Sequence, residues 1–206
     1  MHEARQGDGG VAVTRSPDLG TDELAIRSHE LAVDRLEVVH GPDELAVDRL
    51  EVAGRLPGRV LLVGSSGGHL AQLLALAPLW DRDRRTYVTF DTADAVSQLR
   101  GERVTWAYHP TTRNVPNLLR NSVLAVRELR RRRPDVVVST GAAVGFPFFL
   151  VARALGIPTV FVEVYDRIDS PTLTGRLCRP LTTLFCVQWP EQARFYQGSE
   201  LVGSLM

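Results

Sequence analysis

The sequence predicts an α/β fold with a Rossmann-like, doubly wound parallel sheet, and three observations support this prediction. Short apolar runs alternate with helix-like stretches at the spacing of βαβ units. The runs are continuously apolar, as expected for strands that are covered by helices on both faces of a sheet. Glycine-rich turns join strand to helix at two points, on the edge where open α/β sheets bind ligands.

The individual elements follow from apolar runs, capping residues and helix breakers. A helix that starts at Thr92 has a capping side chain, and the helix before Pro134 stops there because a residue preceding proline disfavours helical backbone. The predicted strands are Arg59–Val63, Arg85–Phe90, Arg103–Tyr108, Asp135–Ser139, Thr159–Val162, Leu184–Val187 and Glu200–Val202. The predicted helices are a stretch ending at Trp80, Thr92–Arg100, Asn117–Arg133, Phe146–Leu155, Leu173–Cys178 and Pro190–Tyr196.

The first 58 residues differ in charge from the rest of the chain. Residues 1–58 carry 12 acidic and 6 basic side chains, whereas residues 59–206 carry 12 acidic and 18 basic ones. The segment ELAVDRLEV occurs at Glu30–Val38 and again at Glu44–Val52. We expect a poorly ordered acidic extension over residues 1–58, with a partner-binding amphipathic helix as the alternative, and one domain over residues 59–206.

The residue types exclude several classes of site. Lysine is absent, so neither a P-loop nor a Schiff-base enzyme fits the chain. The two cysteines, Cys178 and Cys186, match no metal-ligand spacing and are expected to be reduced and buried. No apolar run is long enough to span a bilayer and no signal peptide is recognisable, so we expect an intracellular protein.

The strongest candidate site is the loop between the first strand and the first helix. Glycines let the backbone approach a ligand closely, and free amides at a helix N-terminus favour a phosphate group. His69 is a candidate catalytic base or a ligand of a diphosphate. A turn that only tightens the strand–helix junction is the alternative. The residues of this first glycine loop are Gly64, Ser65, Ser66, Gly67, Gly68 and His69.

A second glycine loop, Ser139–Pro147, follows the fourth strand and contains Gly141 and Gly145. Two such loops at one sheet edge suggest a long anionic ligand such as a diphosphate, although ordinary turn chemistry is equally compatible. A dinucleotide site is the competing interpretation, since Asp91 follows the second strand. It is weakened because Leu70 stands where that motif requires its third glycine.

Two polar segments follow the later strands. Glu163 is a second catalytic candidate, as a base or a ligand of sugar hydroxyls; capping a helix or pairing with Arg167 are the alternatives. We expect Arg167, Gln188 and Trp189 to face the partner or a sugar, and core packing of Trp189 is the alternative.

A basic amphipathic helix precedes Pro134. The arginines at its end are predicted to face a membrane, with a solvated end of a core helix as the alternative. A nucleic-acid partner is not expected, because aromatic residues are not interleaved with the basic ones. The predicted membrane-facing residues are Arg130, Arg131, Arg132 and Arg133.

The motifs, in this order, resemble a known family. They are GSSGGHL from Gly64, PDVVVSTG from Pro134, FVEVYDRIDSPTLTG from Phe161, VQWPE from Val187 and a late Gly203. From Arg59 onward the chain is similar to the asparagine-linked-glycosylation subunit fourteen and to its bacterial capsule and exopolysaccharide counterparts of PssD type.

This resemblance implies the N-terminal half of a MurG-like GT-B glycosyltransferase. A separate partner subunit would bind the UDP-sugar donor, so no cofactor or metal is expected on this chain. The pair would add a sugar to a polyprenyl-diphosphate-linked acceptor at the cytoplasmic face of the membrane. The first glycine loop, Gly141 and Gly145 would line the acceptor side, and Gln188 and Trp189 would lie near the partner.

The sequence leaves the mode of membrane attachment and two alternative functions to be decided. Eukaryotic members carry an N-terminal membrane helix that this chain lacks, so attachment would depend on the basic helix or the partner. An NAD(P)-binding oxidoreductase is the first alternative function. A non-catalytic scaffold that recruits a transferase is the second.

Overall fold

A computed structural model describes residues 58–205, which form one parallel sheet of seven strands in the order β3-β2-β1-β4-β5-β6-β7. The predicted fold class is confirmed, while the acidic repeat lies outside the described residues. The strands are β1 (Val60–Val63), β2 (Arg85–Thr89), β3 (Val104–Trp106), β4 (Val136–Ser139), β5 (Thr159–Val162), β6 (Leu184–Val187) and β7 (Glu200–Leu201).

Helices follow the strands as the sequence predicts. The longest begins at Val115, two residues before its predicted start, because Pro116 fits a first helical turn and the Asn114 side chain caps it by accepting from the Asn117 amide at 2.9 Å. Short 3₁₀ turns follow the first and fifth helices. The helices are α1 (Gly68–Leu76), α2 (Ala93–Gln98), α3 (Val115–Arg132), α4 (Gly145–Ala154), α5 (Leu173–Cys178) and α6 (Pro190–Ala193).

The sheet separates two apolar cores, and β1 contributes to both by alternation. Val60 and Leu62 pack with α1 on one face, whereas Leu61 and Val63 pack with α3 and α4 on the other. Both cysteines are free and buried, as expected, and burial raises the pKa of each thiol to about 12.

The chain reverses its direction across the sheet between β1 and β4. After β1 it adds β2 and β3 on one side, and it then returns to place β4 on the other side of β1, with Val63 opposite Ser139. Open α/β sheets bind ligands at such a switch point, beyond the carboxyl ends of the strands. The topology therefore places both glycine loops side by side at the expected ligand edge.

Candidate functional site

Two reciprocal hydrogen bonds join the glycine loops. The His69 Nδ1 atom lies 2.8 Å from the Thr140 carbonyl oxygen, and the Thr140 hydroxyl donates to the His69 carbonyl oxygen at 2.8 Å. A carbonyl oxygen only accepts, so Nδ1 must carry the imidazole proton. In this tautomer of a neutral imidazole the lone pair is at Nε2, where it can accept a proton or a hydrogen bond.

The second glycine loop needs its glycines for packing. Gly141 has φ 110°, and a Cβ there would lie 3.1 Å from His69 Cε1. A Cβ at Gly145 would lie 2.6 Å from the Ser139 hydroxyl, which accepts from the Gly141 amide at 3.1 Å. Gly141 thus lets the imidazole approach the loop. Gly145 is buried, and its side-chain position faces the protein rather than the ligand edge.

The first glycine loop is open at its tip. Gly67 has φ 69°, and no atom lies within 4 Å of a Cβ built on Gly67 or Gly68. Ser65 and Ser66 are half-buried, whereas Gly64 is buried and a Cβ there would lie 2.8 Å from Leu73 Cδ1. The accessible surface of the loop is therefore the start of α1, where the first amides have no intrahelical acceptor.

A carboxylate that the sequence analysis missed sits at this loop. The Gly67 amide donates to Asp94 Oδ2 at 3.2 Å, so the structure places an anion at the amides predicted to bind one. Next to it, Asp91 Oδ1 lies 2.9 Å from His109 Nε2. The signal in the sequence was the D-T-A-D segment beyond β2, at the same sheet edge. A phosphate at the Gly67 amide would have to exchange with Asp94.

Glu163 is not placed at this edge as an exposed catalytic group. Its side chain is 1 % exposed, and its carboxylate accepts from the Thr172 and Tyr196 hydroxyls and from the Val164 amide. Thr172 in turn caps α5 by accepting from the Gly175 amide at 2.9 Å. Glu163 therefore caps no helix itself but holds the capping Thr172 hydroxyl, and we assign Glu163 a structural role.

Gln188 is also buried, which argues against the predicted partner- or sugar-facing role. Its amide nitrogen donates to Gln72 Oε1 at 2.7 Å and to the Glu163 carbonyl oxygen, and its side-chain oxygen accepts from the Leu205 amide. Trp189 is half-buried and donates from its indole to the Tyr165 carbonyl oxygen at 2.7 Å. The carboxyl ends of β5 and β6 are thus held by a satisfied buried network.

The four arginines at the end of α3 do not form one outward face. Helix α3 runs back from the ligand edge, so its arginine end lies at the opposite edge of the sheet. Arg132 Nε lies 2.6 Å from Glu128 Oε2, and Arg131 lies 3.8 Å from the same carboxylate oxygen. Burial alone would raise the pKa of Glu128, but hydrogen bonds from Arg132 and Thr105 outweigh it and keep this pKa below its ordinary value.

The exposed residues on α3 give a different membrane-facing candidate. Val115, Leu119 and Val123 are exposed along the half of the helix nearest the ligand edge, and Arg127 and Arg130 continue the same stripe. The predicted run Arg130–Arg133 is divided: Arg130, Arg131 and Arg133 are exposed, whereas Arg132 is drawn in by Glu128.

Arg167 is exposed beyond β5, and no ion pair joins it to Glu163 within residues 58–205. Its backbone carbonyl accepts from Gln192 instead.

Among residues 58–205, no three His, Cys, Asp or Glu side chains are arranged to bind a metal ion. None of the helices between Gly58 and Leu205 is both long and apolar enough to cross a bilayer.

The family model described as "Oligosaccharide biosynthesis protein Alg14 like" matches residues 99–205, which is more than half of the chain. The chain belongs to this family. The matched region of this Alg14-like chain includes the second glycine loop and the network around Gln188, but it begins after the first glycine loop.

Curated relatives extend the likeness across the first loop. The mouse (Mus musculus) "UDP-N-acetylglucosamine transferase subunit ALG14" is 26% identical over 85% of the Alg14-like chain and 93% of the mouse protein. The "UDP-N-acetylglucosamine--N-acetylmuramyl-(pentapeptide) pyrophosphoryl-undecaprenol N-acetylglucosamine transferase" of Moorella thermoacetica is 36% identical, but over only 44% of this chain and 24% of that enzyme.

Solved structures support the GT-B half-fold. The crystal structure of Acinetobacter baumannii MurG superposes with a TM-score of 0.61 at 19% identity, covering 73% of the Alg14-like chain and 46% of MurG. A UDP-N-acetylglucosamine 2-epimerase from Rickettsia bellii reaches 0.55 at 13% identity. At these identities the fold alone is shared, and a fold hosts more than one chemistry. The chain spans less than half of the MurG-type proteins.

Proposed function

We propose that this chain is the acceptor-side subunit of a two-component glycosyltransferase, and that a separate subunit binds the UDP-sugar donor. The observation that carries the proposal is the clamp between His69 and Thr140, which aligns two glycine loops at the switch point of a MurG-like half-fold. The relatives include a subunit of a UDP-N-acetylglucosamine transferase and enzymes that act on a pyrophosphoryl-undecaprenol acceptor. Membership of the Alg14-like family favours a transferase over the oxidoreductase alternative.

The proposed chemistry divides between the loops. The open amides at the start of α1 bind the diphosphate of a polyprenyl-linked acceptor, since helix N-termini favour anions. His69 Nε2 takes the proton from the attacking acceptor hydroxyl as the bond to the anomeric carbon forms and UDP leaves with the electron pair of the broken bond. The sugar is transferred with inversion. This chain binds no cofactor itself, and it is inactive without the partner.

The proposed location is the cytoplasmic face of the membrane. The exposed stripe of Val115, Leu119 and Val123 faces the bilayer, and Arg127 and Arg130 interact with anionic headgroups at one end of it. We propose this stripe, in place of the arginine run, as the membrane-facing element.

A co-sedimentation assay with anionic phospholipid vesicles tests the proposed membrane contact: Leu119→Glu and Val123→Glu should reduce the fraction of protein bound to the vesicles. Leu155→Glu, at an exposed leucine just beyond the far end of α4, should not.

The biosynthetic role we propose is assembly of a capsular or exopolysaccharide repeat unit, as in PssD-type subunits. The motifs Gly64–His69 and Phe161–Gly175 carry this resemblance. The donor-binding subunit selects the sugar, whereas this chain selects the acceptor and positions its attacking hydroxyl.

Reconstitution tests the division of labour. The chain, its partner and the mixture are assayed with radiolabelled UDP-N-acetylglucosamine and a polyprenyl-diphosphate-linked acceptor. Transfer by the mixture alone is the expected result. Transfer by this chain alone would refute the subunit proposal. Full activity of the mixture with His69→Ala would leave only the scaffold alternative.

A further inference from the structure

An apolar cavity of about 420 Å³ opens at the ligand edge, on the sheet face that carries α3, α4 and α5. All three helices begin at this edge, because each follows the carboxyl end of a strand. The cavity lies between their first turns. Its apolar lining is Val115, Leu118, Phe146, Pro147, Leu173 and Leu177.

The apolar side chains that line the cavity are more exposed to solvent than is usual for leucine and valine. Leu173 is 71 % exposed, Val115 63 % and Leu177 47 %. Contiguous apolar side chains on a protein surface mark a place where another apolar group binds. The volume falls in the range of roughly 300–1,000 Å³ that is usual for small-molecule sites. The occupant is therefore apolar and of limited length.

The lining also includes one cation, Arg113, and four uncharged polar residues, Thr111, Asn114, Asn121 and Thr174. Arg113 lines the cavity with φ 52°, a left-handed backbone that non-glycine residues adopt uncommonly, and no hydrogen bond or ion pair engages its guanidinium among residues 58–205. Ala143, from the second glycine loop, lines it as well. That loop also contacts the His69 ring through Gly141 and Thr140, so the cavity and the site described above share one loop.

We propose that this cavity holds the first isoprenoid units of the lipid carrier, with Arg113 paired to its diphosphate. The proposal rests on the acceptor-side function proposed above and specifies how the same site binds its substrate. An apolar lining with a single unpaired cation beside a glycine loop matches a molecule with an apolar chain and a charged head. A partner helix would leave the unpaired Arg113 and the adjoining glycine loop without a role.

The exposed α3 stripe supplies the path for the rest of the carrier. Val115 lines the cavity and also belongs, with Leu119 and Val123, to the proposed bilayer contact on the same helix. The carrier would leave the bilayer along α3, enter the cavity and present its diphosphate at the glycine loops. Only the units next to the diphosphate are then enclosed by protein.

Titration of the full chain with two soluble probes, inorganic diphosphate and farnesyl diphosphate, tests the proposal by calorimetry. Farnesyl diphosphate should bind at least about tenfold more tightly, because its chain fills the cavity. Leu173→Asp and Leu177→Asp should remove that gain without weakening diphosphate binding. Leu150→Asp is the matched control, since Leu150 is also 47 % exposed but lies outside the cavity. Arg113→Gln should weaken both probes.

The outcomes separate the two proposals. Equal affinity for both probes, or a farnesyl gain that survives both leucine substitutions, overturns the cavity proposal and leaves the diphosphate site standing. No binding of either probe overturns the acceptor site as well. If vesicles of phosphatidylcholine displace farnesyl diphosphate, or if the leucine variants change the oligomeric state, the occupant is an ordinary lipid chain or a second copy, and the proposal is wrong.

Discussion

Replacing Gly68 by alanine separates ligand binding from folding. Gly68 opens α1, and no atom lies within 4 Å of a Cβ built there. The Cα–Cβ bonds of a helix tilt towards its N-terminus, so the new methyl group would project into the open space at the ligand edge. Alanine also favours helix over glycine, so the free energy of unfolding should be unchanged or increase by up to about 1 kcal/mol.

The same substitution should impair acceptor use. If the diphosphate binds to the amides at the start of α1, the new methyl group prevents one amide from donating a hydrogen bond to a charged diphosphate oxygen. Such a hydrogen bond contributes about 1.5–3 kcal/mol to binding. Since about 1.4 kcal/mol corresponds to tenfold, kcat/KM for the acceptor should fall roughly 10- to 100-fold. Gly68→Val should lower it further.

The assay measures kcat/KM for the acceptor with the assembled pair at saturating donor, alongside urea unfolding of each variant. Gly156→Ala is the control: its φ of 70° predicts a loss of stability, and it lies beyond the far end of α4, so its kcat/KM should be unchanged. Wild-type kcat/KM in both Gly68 variants would refute the placement of the diphosphate.

Three further predictions concern the base, the buried network and an ion pair. His69→Ala should lower kcat/KM about 10²- to 10⁴-fold, as loss of a general base does, whereas Thr140→Val, which keeps the imidazole, should cost less; equal losses would contradict the proposed role. Gln188→Leu should destabilise the fold by about 2–4 kcal/mol in urea unfolding, because three buried partners lose a hydrogen bond; a change under about 0.5 kcal/mol would contradict it. The Arg85 guanidinium donates two hydrogen bonds to the Glu102 carboxylate, at 2.9 and 3.1 Å, and lowers the pKa of that carboxyl below its ordinary value of 4.5. The ion pair therefore stabilises the fold at pH values above 4.5, and this stabilisation is lost as the pH falls through the lowered pKa. Glu102→Gln should therefore flatten the acid side of the stability curve, and an unchanged slope would count against the pair.

The sequence was most informative where backbone requirements limit the choice of residue. Apolar runs and the breaks around them predicted all seven strands, and parallel topology placed the two glycine loops at one edge. The loop residues Gly67 and Gly141 have positive φ, a conformation that favours glycine, so their residue type was a reliable signal.

Side-chain environments were harder to predict, because polarity alone does not indicate exposure. Glu163 and Gln188 follow strands at the ligand edge, yet the Thr172 and Tyr196 hydroxyls and the Gln72 amide satisfy them in the interior. These partners are distant in sequence and become visible only once the chain is folded.

The arginine run at the end of α3 could have been placed from topology. A helix that connects two parallel strands begins at the carboxyl edge and ends at the amino edge, so Arg130–Arg133 had to lie away from the glycine loops. What the pattern could not reveal was Glu128, a buried carboxylate that holds Arg132.

The most direct test of the central claim is the response of the loop amides to a phosphorylated ligand. The ¹H–¹⁵N shifts of Gly67, Gly68 and His69 are followed while inorganic diphosphate is added to the isotopically labelled chain. We expect saturable shifts at these three amides, with the Gly67 signal reporting release of Asp94. Unmoved loop amides, with shifts confined to the arginine-lined cavity around Arg59 at the opposite edge, would contradict it.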